Sequence, residues 1–362
     1  VTGPHRAIAT TRLAVRRALR QIEVTSDGLV LVACSGGADS LALAAAVAFE
    51  ARRGGLSAGA VIVDHDLQEG SAAVAARAAA QCRGLGLEPV EVVRVEVAPA
   101  GSSGSGSGSG PEARARDARY EAFEQVLERV GAVAVLLGHT RDDQAEQVLL
   151  GLARGSGARS LSGMPAARGP YLRPLLGVPR TTTVAACEAA GLAAWVDPHN
   201  SDPAYGRVRA RALLPLLETE LGPGTVAALA RSADLLREDA DALDELAAQV
   251  RQDLRQDPRQ EETRELGQEP RQDRQEPGQE PRQGQVDAAG MLRLPRALRT
   301  RVWRLLALEA GCPAGALISS QIAALDTLVT CWRGQGPIDL PGHVQGRRAD
   351  GRVLVAPTRR VE

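Results

Sequence analysis

Between Leu29 and Arg154 one pattern recurs four times: a short run rich in valine and leucine, then a longer alanine-rich stretch with helical periodicity. The runs predict strands over Leu29–Cys34, Ala60–Asp64, Val90–Val97 and Ala132–Gly138. The stretches predict helices over Ser40–Arg53, Ala72–Leu85, Glu112–Val130 and Asp142–Arg154. Such alternation builds βαβ units around an open parallel sheet, an α/β fold of Rossmann-like kind. Only 2% of residues are aromatic, so the sheet must be sealed by Ala, Val and Leu. In an open sheet, ligands sit beyond the carboxyl ends of the strands. The residues just after each strand are therefore where chemistry is to be sought.

After the first strand comes Ser35-Gly36-Gly37-Ala38-Asp39-Ser40, which runs straight into an apolar helix. The glycines permit a tight turn, and the unpaired amides and dipole of the helix start favour a polyanion such as pyrophosphate. Asp39 inside such a loop fits a magnesium ion that bridges phosphates. A plain glycine turn with Ser or Asp as cap uses the same residue types; the order strand, loop, helix favours phosphate. The loop has neither the Gly-Lys-Ser/Thr of Walker A nor Gly-x-Gly-x-x-Gly. It resembles the S-G-G-x-D-S loop of the ATP-pyrophosphatase superfamily, whose members cleave ATP between the α and β phosphates and adenylylate a substrate. The cofactors implied are ATP and Mg2+, with Ser35, Gly36, Gly37, Ala38, Asp39 and Ser40 around the phosphates and Asp39 as the metal carboxylate.

Further segments fall at the same edge: Val63-Asp64-His65, then His139-Thr140-Arg141-Asp142-Asp143-Gln144-Ala145-Glu146, then Arg154-Gly155-Ser156-Gly157. Together with Glu112–Tyr120 and Trp195–Asp202, the ordered set resembles tRNA(Ile)-lysidine synthetase from about Leu29 to Pro215. The resemblance implies ATP-dependent adenylylation of the wobble cytidine of a CAU-anticodon tRNA(Ile), followed by attack of L-lysine to give lysidine. His65 then belongs to the ATP site, and Arg116 with the loop amides stabilises charge at the α-phosphate. Asp143 and Glu146, at i and i+3 on one helical face, are expected to grip the lysine ammonium, with Glu146 also as general base. Arg207 and Arg211 align with arginines of the family motif, Arg211 as a catalytic group and Arg207 at the tRNA. The motif's Asn is Val208 here, and a solvated arginine face is the competing reading. Gln147 likewise stands where the family has Thr.

From Leu213 to Val250 and again over Leu294–Ala310 apolar residues recur at helical spacing, which predicts a mostly helical second domain over residues 216–362 after an adenylylating domain over 1–215. From Val286 onward eleven arginines face six acidic residues, a local basic excess in a chain of formal net charge -1 that suits phosphate contact; Arg296 and Arg299 are its candidates for tRNA. Two tracts resist regular structure. Gly101–Gly110 is a Gly/Ser linker, and Gln252–Gln285 repeats Gln-Glu-Pro-Arg-Gln variants too polar to offset ordering entropy.

Five cysteines without a C-x-x-C pair argue against disulfides or a thiolate metal site and suit a cytoplasmic enzyme. The longest apolar run is too short for a membrane span. A homodimer is compatible with the sequence. Rival readings are another ATP-pyrophosphatase such as a tRNA thiolation enzyme, whose cysteine pattern is missing, an ammonia-using amidating synthetase, and a tRNA-binding protein with a lapsed site.

Overall fold

The computed structural model describes residues 3–22, 28–66, 70–95, 111–197, 202–255 and 284–358. The Gly/Ser tract, most of the Gln/Glu/Pro/Arg tract and residues 198–201 lie outside them. The chain divides into two compact units, Val1–Arg237 and Glu238–Glu362.

The first unit is built on a six-stranded sheet of order β3-β2-β1-β4-β6-β5. Its strands are β1 (Leu29–Ala33), β2 (Ser57–Asp64), β3 (Val90–Arg94), β4 (Ala132–Leu137), β5 (Ala167–Arg168) and β6 (Tyr171–Leu172). Pairing is parallel from β3 to β6, and β5 closes the edge antiparallel. The expected open parallel α/β sheet is thus present. β2 starts earlier than its apolar run because Ser57, Ala58 and Gly59 pair with Leu29, Val30 and Leu31 of β1; at Gly59 the Pro89 carbonyl comes so close that a β-carbon would lie 2.5 Å from its oxygen.

Strand alternation sorts the core onto two faces. Val30, Val32, Ile62, Ala134 and Leu136 pack with α2 (Ala38–Gly54), α3 (Ser71–Gly84) and α7 (Arg180–Ala189). Leu31, Val61, Val135 and Leu137 pack against Phe123, Val126 and Leu127 of α4 (Pro111–Val130). A helix the sequence reading did not include, α1 (Arg6–Leu19), is held to α2 by an Arg16–Glu50 fork at 2.7 and 2.8 Å. Chain order reverses between β1 and β4, so the ends of these strands form the switch point where such sheets bind ligands.

Beyond α5 (Arg141–Ala153), the short α6 (Ala158–Leu161) and α7, the stretch expected as continuous helical periodicity from Leu213 is two helices, α8 (Gly206–Glu220) and α9 (Thr225–Asp253). Gly222 and Gly224, at φ of +100° and +94°, turn the chain between them. α8 runs through Pro215, and the first compact unit extends to Arg237.

The second unit holds helices as expected, α10 (Ala288–Arg293), α11 (Arg296–Glu309) and α12 (Ser319–Thr330), and adds a four-stranded antiparallel sheet that periodicity had not shown. Its strands are β7 (Gln285–Asp287), β8 (Ile338–Leu340), β9 (Val344–Ala349) and β10 (Arg352–Pro357), in the order β7-β10-β9-β8. Trp303, Leu306, Leu325, Leu328, Met291 and Val353 form the core. The polar tract is shorter than expected at both ends, since Gln252 and Asp253 end α9 and Gln285 starts β7. Its flanks meet: Asp287 N–H donates to the Leu254 carbonyl at 3.2 Å.

Candidate active site

The phosphate loop is tied by the Ser40 hydroxyl, which donates to the Gly37 carbonyl at 2.9 Å, accepts from Ser35 N–H at 3.2 Å and lies 3.3 Å from the Ser35 hydroxyl. Gly36 takes φ +81°, and Gly37 caps α2 with no side chain, so the first-turn amides of Ala38, Asp39 and Ser40 are not covered by a capping group. Two neighbours hold the loop. Trp195 N–H donates to the Gly36 carbonyl at 2.9 Å. Gly138, at the end of β4, lies so close that a β-carbon would come within 3.2 Å of Ser40 Cα and N. Gln81 of α3 exchanges hydrogen bonds with the Ala193 backbone at 2.8 and 3.1 Å, which steadies the segment carrying Trp195.

Asp39, Asp143 and Glu146, expected from distant parts of the sequence, converge here. The group that joins them is Arg180, the first residue of α7, which sequence reasoning did not single out. Its Nε lies 3.3 Å from Asp39 Oδ2, its Nη2 2.7 Å from Asp143 Oδ1 and its Nη1 3.2 Å from Glu146 Oε1. Its backbone N–H donates to Asp142 Oδ2 at 2.8 Å. Burial works against its charge, but Asp143, Glu146, Asp39 and Asp142 outweigh that and raise its pKa above the ordinary arginine value. Cations suit helix C-termini, so an arginine at a helix start was the available signal that its charge answers something other than the dipole.

Asp143 also completes a capping box at the start of α5: its Oδ2 accepts from Thr140 N–H at 2.7 Å and from the Thr140 hydroxyl at 2.8 Å. Burial pushes its carboxyl up, yet Arg180 and the Thr140 bonds prevail and hold it below the usual aspartate range. Glu146, its side chain fully buried, receives Arg211 Nε at 2.7 Å on the oxygen that Arg180 also reaches. Asp39 is raised above the usual range, chiefly by burial, although the Thr183 hydroxyl and Arg180 oppose this; Asp143 adds to the rise.

A second cluster surrounds His139, which follows β4. Arg173, Arg207 and Arg116 all act on the imidazole; with burial as the largest cause they outweigh Asp143 and push its pKa down to about 4. Its Nδ1 is buried with no hydrogen-bond partner among the described residues. Arg116 is exposed on α4, 5.1 Å over the Tyr120 ring. Arg173, another residue sequence reading missed, is buried and donates to Tyr120 Oη at 3.1 Å and the Pro165 carbonyl at 3.0 Å. His65, after β2, accepts from Arg119 Nε at 3.2 Å and is likewise lowered to about 4 by burial and then Arg119.

In the second unit the two expected tRNA contacts part ways. Arg296 is exposed at the start of α11. Arg299 is not available as expected: its Nε and Nη2 clasp Asp326 at 2.6 and 3.0 Å, its Nη1 meets the Leu294 carbonyl at 2.8 Å, and its side chain is 11% exposed. Its donors are spent inside the fold, where Trp303 Nε1 joins the same carboxylate at 3.1 Å. Arg299 is thus a structural arginine.

No group of three His, Cys, Asp or Glu side chains suited to a metal occurs among the described residues. Asp39 is the carboxylate that the loop itself supplies, and it fits a magnesium ion that takes its other ligands from a triphosphate and water. No described helix is long and apolar enough to cross a membrane.

Comparison with known proteins follows the same two-part division. The PP-loop domain family matches residues 11–217 and the TilS substrate binding domain family matches residues 287–354. The tRNA(Ile)-lysidine synthase of Thermobifida fusca is 53% identical over 357 residues, covering 98% of this chain and 99% of the relative. That of Streptomyces coelicolor is 49% identical over 381 residues, again 98% and 99%. Among solved structures, the U34-tRNA thiolase NcsA from Methanococcus maripaludis shares the fold at a TM-score of 0.53 and 19% identity, over 64% of this chain and 80% of that one.

Proposed function

Because the chain belongs to the tRNA(Ile)-lysidine synthase family, we propose that it converts the wobble cytidine of a CAU-anticodon tRNA(Ile) to lysidine at the expense of ATP. The observation that carries this reading is the meeting of Asp39 beside the phosphate loop with Asp143 and Glu146 on one face of α5. An adenylylating loop next to a paired-carboxylate pocket serves two steps in sequence. First the cytosine carbonyl oxygen attacks the α-phosphate and pyrophosphate leaves. Then the lysine side-chain amine attacks the activated carbon, AMP leaves, and the amine gives up a proton.

The loop amides and the α2 dipole receive the phosphates. Arg116, beside the His139 cluster, adds charge where negative charge grows. Asp39 would hold magnesium, which when bound neutralises phosphate charge during displacement. The imidazoles of His65 and His139 are neutral near pH 7 and orient ligands without adding charge. Lysine's ammonium must lose a proton before attack, its unperturbed pKa being about 10.4. Asp143 and Glu146 bind it, and Glu146 accepts the proton. Arg211 fixes the Glu146 carboxylate by a two-point contact. Arg207 and Arg296 meet tRNA phosphates, the second from the unit that matches the substrate binding domain. A cytoplasmic setting follows from the substrate.

The thiolation alternative finds no support in the cysteines: Cys34 beside the loop is 2% exposed, and the exposed Cys331 lies in the second unit.

The test is nucleoside analysis of unmodified CAU-anticodon tRNA(Ile) incubated with the protein, ATP, magnesium and L-lysine. Lysidine should appear with one AMP and one pyrophosphate per nucleoside. Adenylate formation without lysine incorporation, or thiolated product when a sulfur donor is supplied, would refute the assignment.

A further inference from the structure

Arg180 sets each of its three nitrogens against a different carboxylate: Asp39 Oδ2, Asp143 Oδ1 and Glu146 Oε1. Three donors meeting three carboxylate oxygens is also the valence of an ammonium. We propose that Arg180 is the resident occupant of the ammonium pocket and that substrate lysine enters by exchanging with it, guanidinium out and ammonium in. This rests on the reading of Asp143 and Glu146 as lysine's partners.

The geometry permits the exchange. The Arg180 side chain is 22% exposed, so one side of it faces water. Its backbone is anchored by Asp142 at the start of α7, so the side chain can swing while the helix stays. Two of its three contacts are long, at 3.2 and 3.3 Å. Its departure strips no carboxylate bare: Asp143 Oδ2 keeps both Thr140 donors, Glu146 keeps Arg211 and Asp39 keeps the Thr183 hydroxyl.

Charge ties departure to arrival. Asp39, Asp142, Asp143 and Glu146 bring four negative charges against two positive ones from Arg180 and Arg211. Loss of Arg180 without a replacement would leave buried carboxylates undercompensated, which is costly. A guanidinium is less strongly hydrated than an ammonium, so it is the better occupant of a half-dry site when no substrate is present. Lysine's apparent affinity is then reduced by the fraction of molecules in which Arg180 holds the pocket.

The experiment has two parts, both on the full chain. Equilibrium dialysis with labelled L-lysine compares the wild type with Arg180→Gln, Glu146→Gln and the double variant, each checked by circular dichroism. Arg180→Gln should bind lysine about tenfold more tightly than the wild type, and the double variant should lose that gain. Independently, phenylglyoxal labelling of wild-type Arg180, read by peptide mass spectrometry relative to exposed Arg296, should rise when lysine is saturating. Folded Arg180→Gln that binds lysine no better than the wild type, or Arg180 labelling that lysine leaves unchanged or suppresses, overturns the exchange. The labelling decides alone if Arg180→Gln does not fold. Glu146→Gln distinguishes the two failures: if it weakens lysine binding while Arg180 shows no exchange, only the exchange is wrong; if it binds lysine as the wild type does, the pocket itself is misassigned.

Discussion

His65 and His139 sit beside the site as neutral imidazoles, each lowered from 6.5 to about 4. A folded state that refuses a proton the unfolded chain accepts has its full stability above about pH 6.5 and loses it as pH falls toward 4. Asp143, held below 3.8, contributes its own loss only at lower pH, and Asp39, shifted the other way, partly offsets it. Stability to urea should therefore fall between pH 7 and 5, and His139→Gln should flatten that slope; equal slopes in both proteins would mean that His139 is charged in the folded state. At this scale Asp39, Asp143 and Glu146 were legible because each lies in a short motif placed after a strand. Arg180 and Arg173 were not, because their meaning depends on carboxylates and carbonyls that only the fold brings near.

α11 shows how one helix gives two arginines different tasks. Arg296 projects from its first turn, whereas Arg299, one turn on, is consumed by Asp326. Arg299→Ala leaves a buried carboxylate without its partner and should cost about 3 kcal/mol of stability. Arg296→Ala should leave melting unchanged, weaken tRNA binding and reduce the salt slope of log K by about one. Reversal of these effects in melting and salt-titrated binding assays would return Arg299 to the RNA surface. In sequence the two arginines look alike; burial separates them. The same limit hid the second sheet. β9 reads Val-Gln-Gly-Arg-Arg-Ala, in which arginines and a glycine blur the alternation, although Asp350-Gly351, both at positive φ, is a hairpin signal that was there to be read. By contrast β1, β2 and β4 announce themselves because both faces of the sheet are buried.

Over the whole molecule, a division into two parts is expected from composition and periodicity; the PP-loop family match ends at residue 217, while α8 passes Pro215 without a break and the compact unit runs on to Arg237. The polar tract can be judged by its flanks. Leu254 and Asp287 are hydrogen-bonded to each other, and shortening a loop between fixed ends changes closure entropy by only about 0.6 kcal/mol per halving. Replacing residues 257–282 with a short Gly/Ser link should thus preserve solubility, melting and lysidine formation; a drop in melting temperature beyond a few degrees would show that the excised residues support the fold. The guanidinium of Arg180 reaches Asp39 on one side and Asp143 and Glu146 on the other. A counter-ion shared in this way makes the two positions thermodynamically reciprocal: whatever factor occupancy at Asp39 applies to cation affinity at Asp143 and Glu146 must return unchanged in the opposite direction. The two positions proposed above for successive chemical steps are then in equilibrium communication before any bond is made.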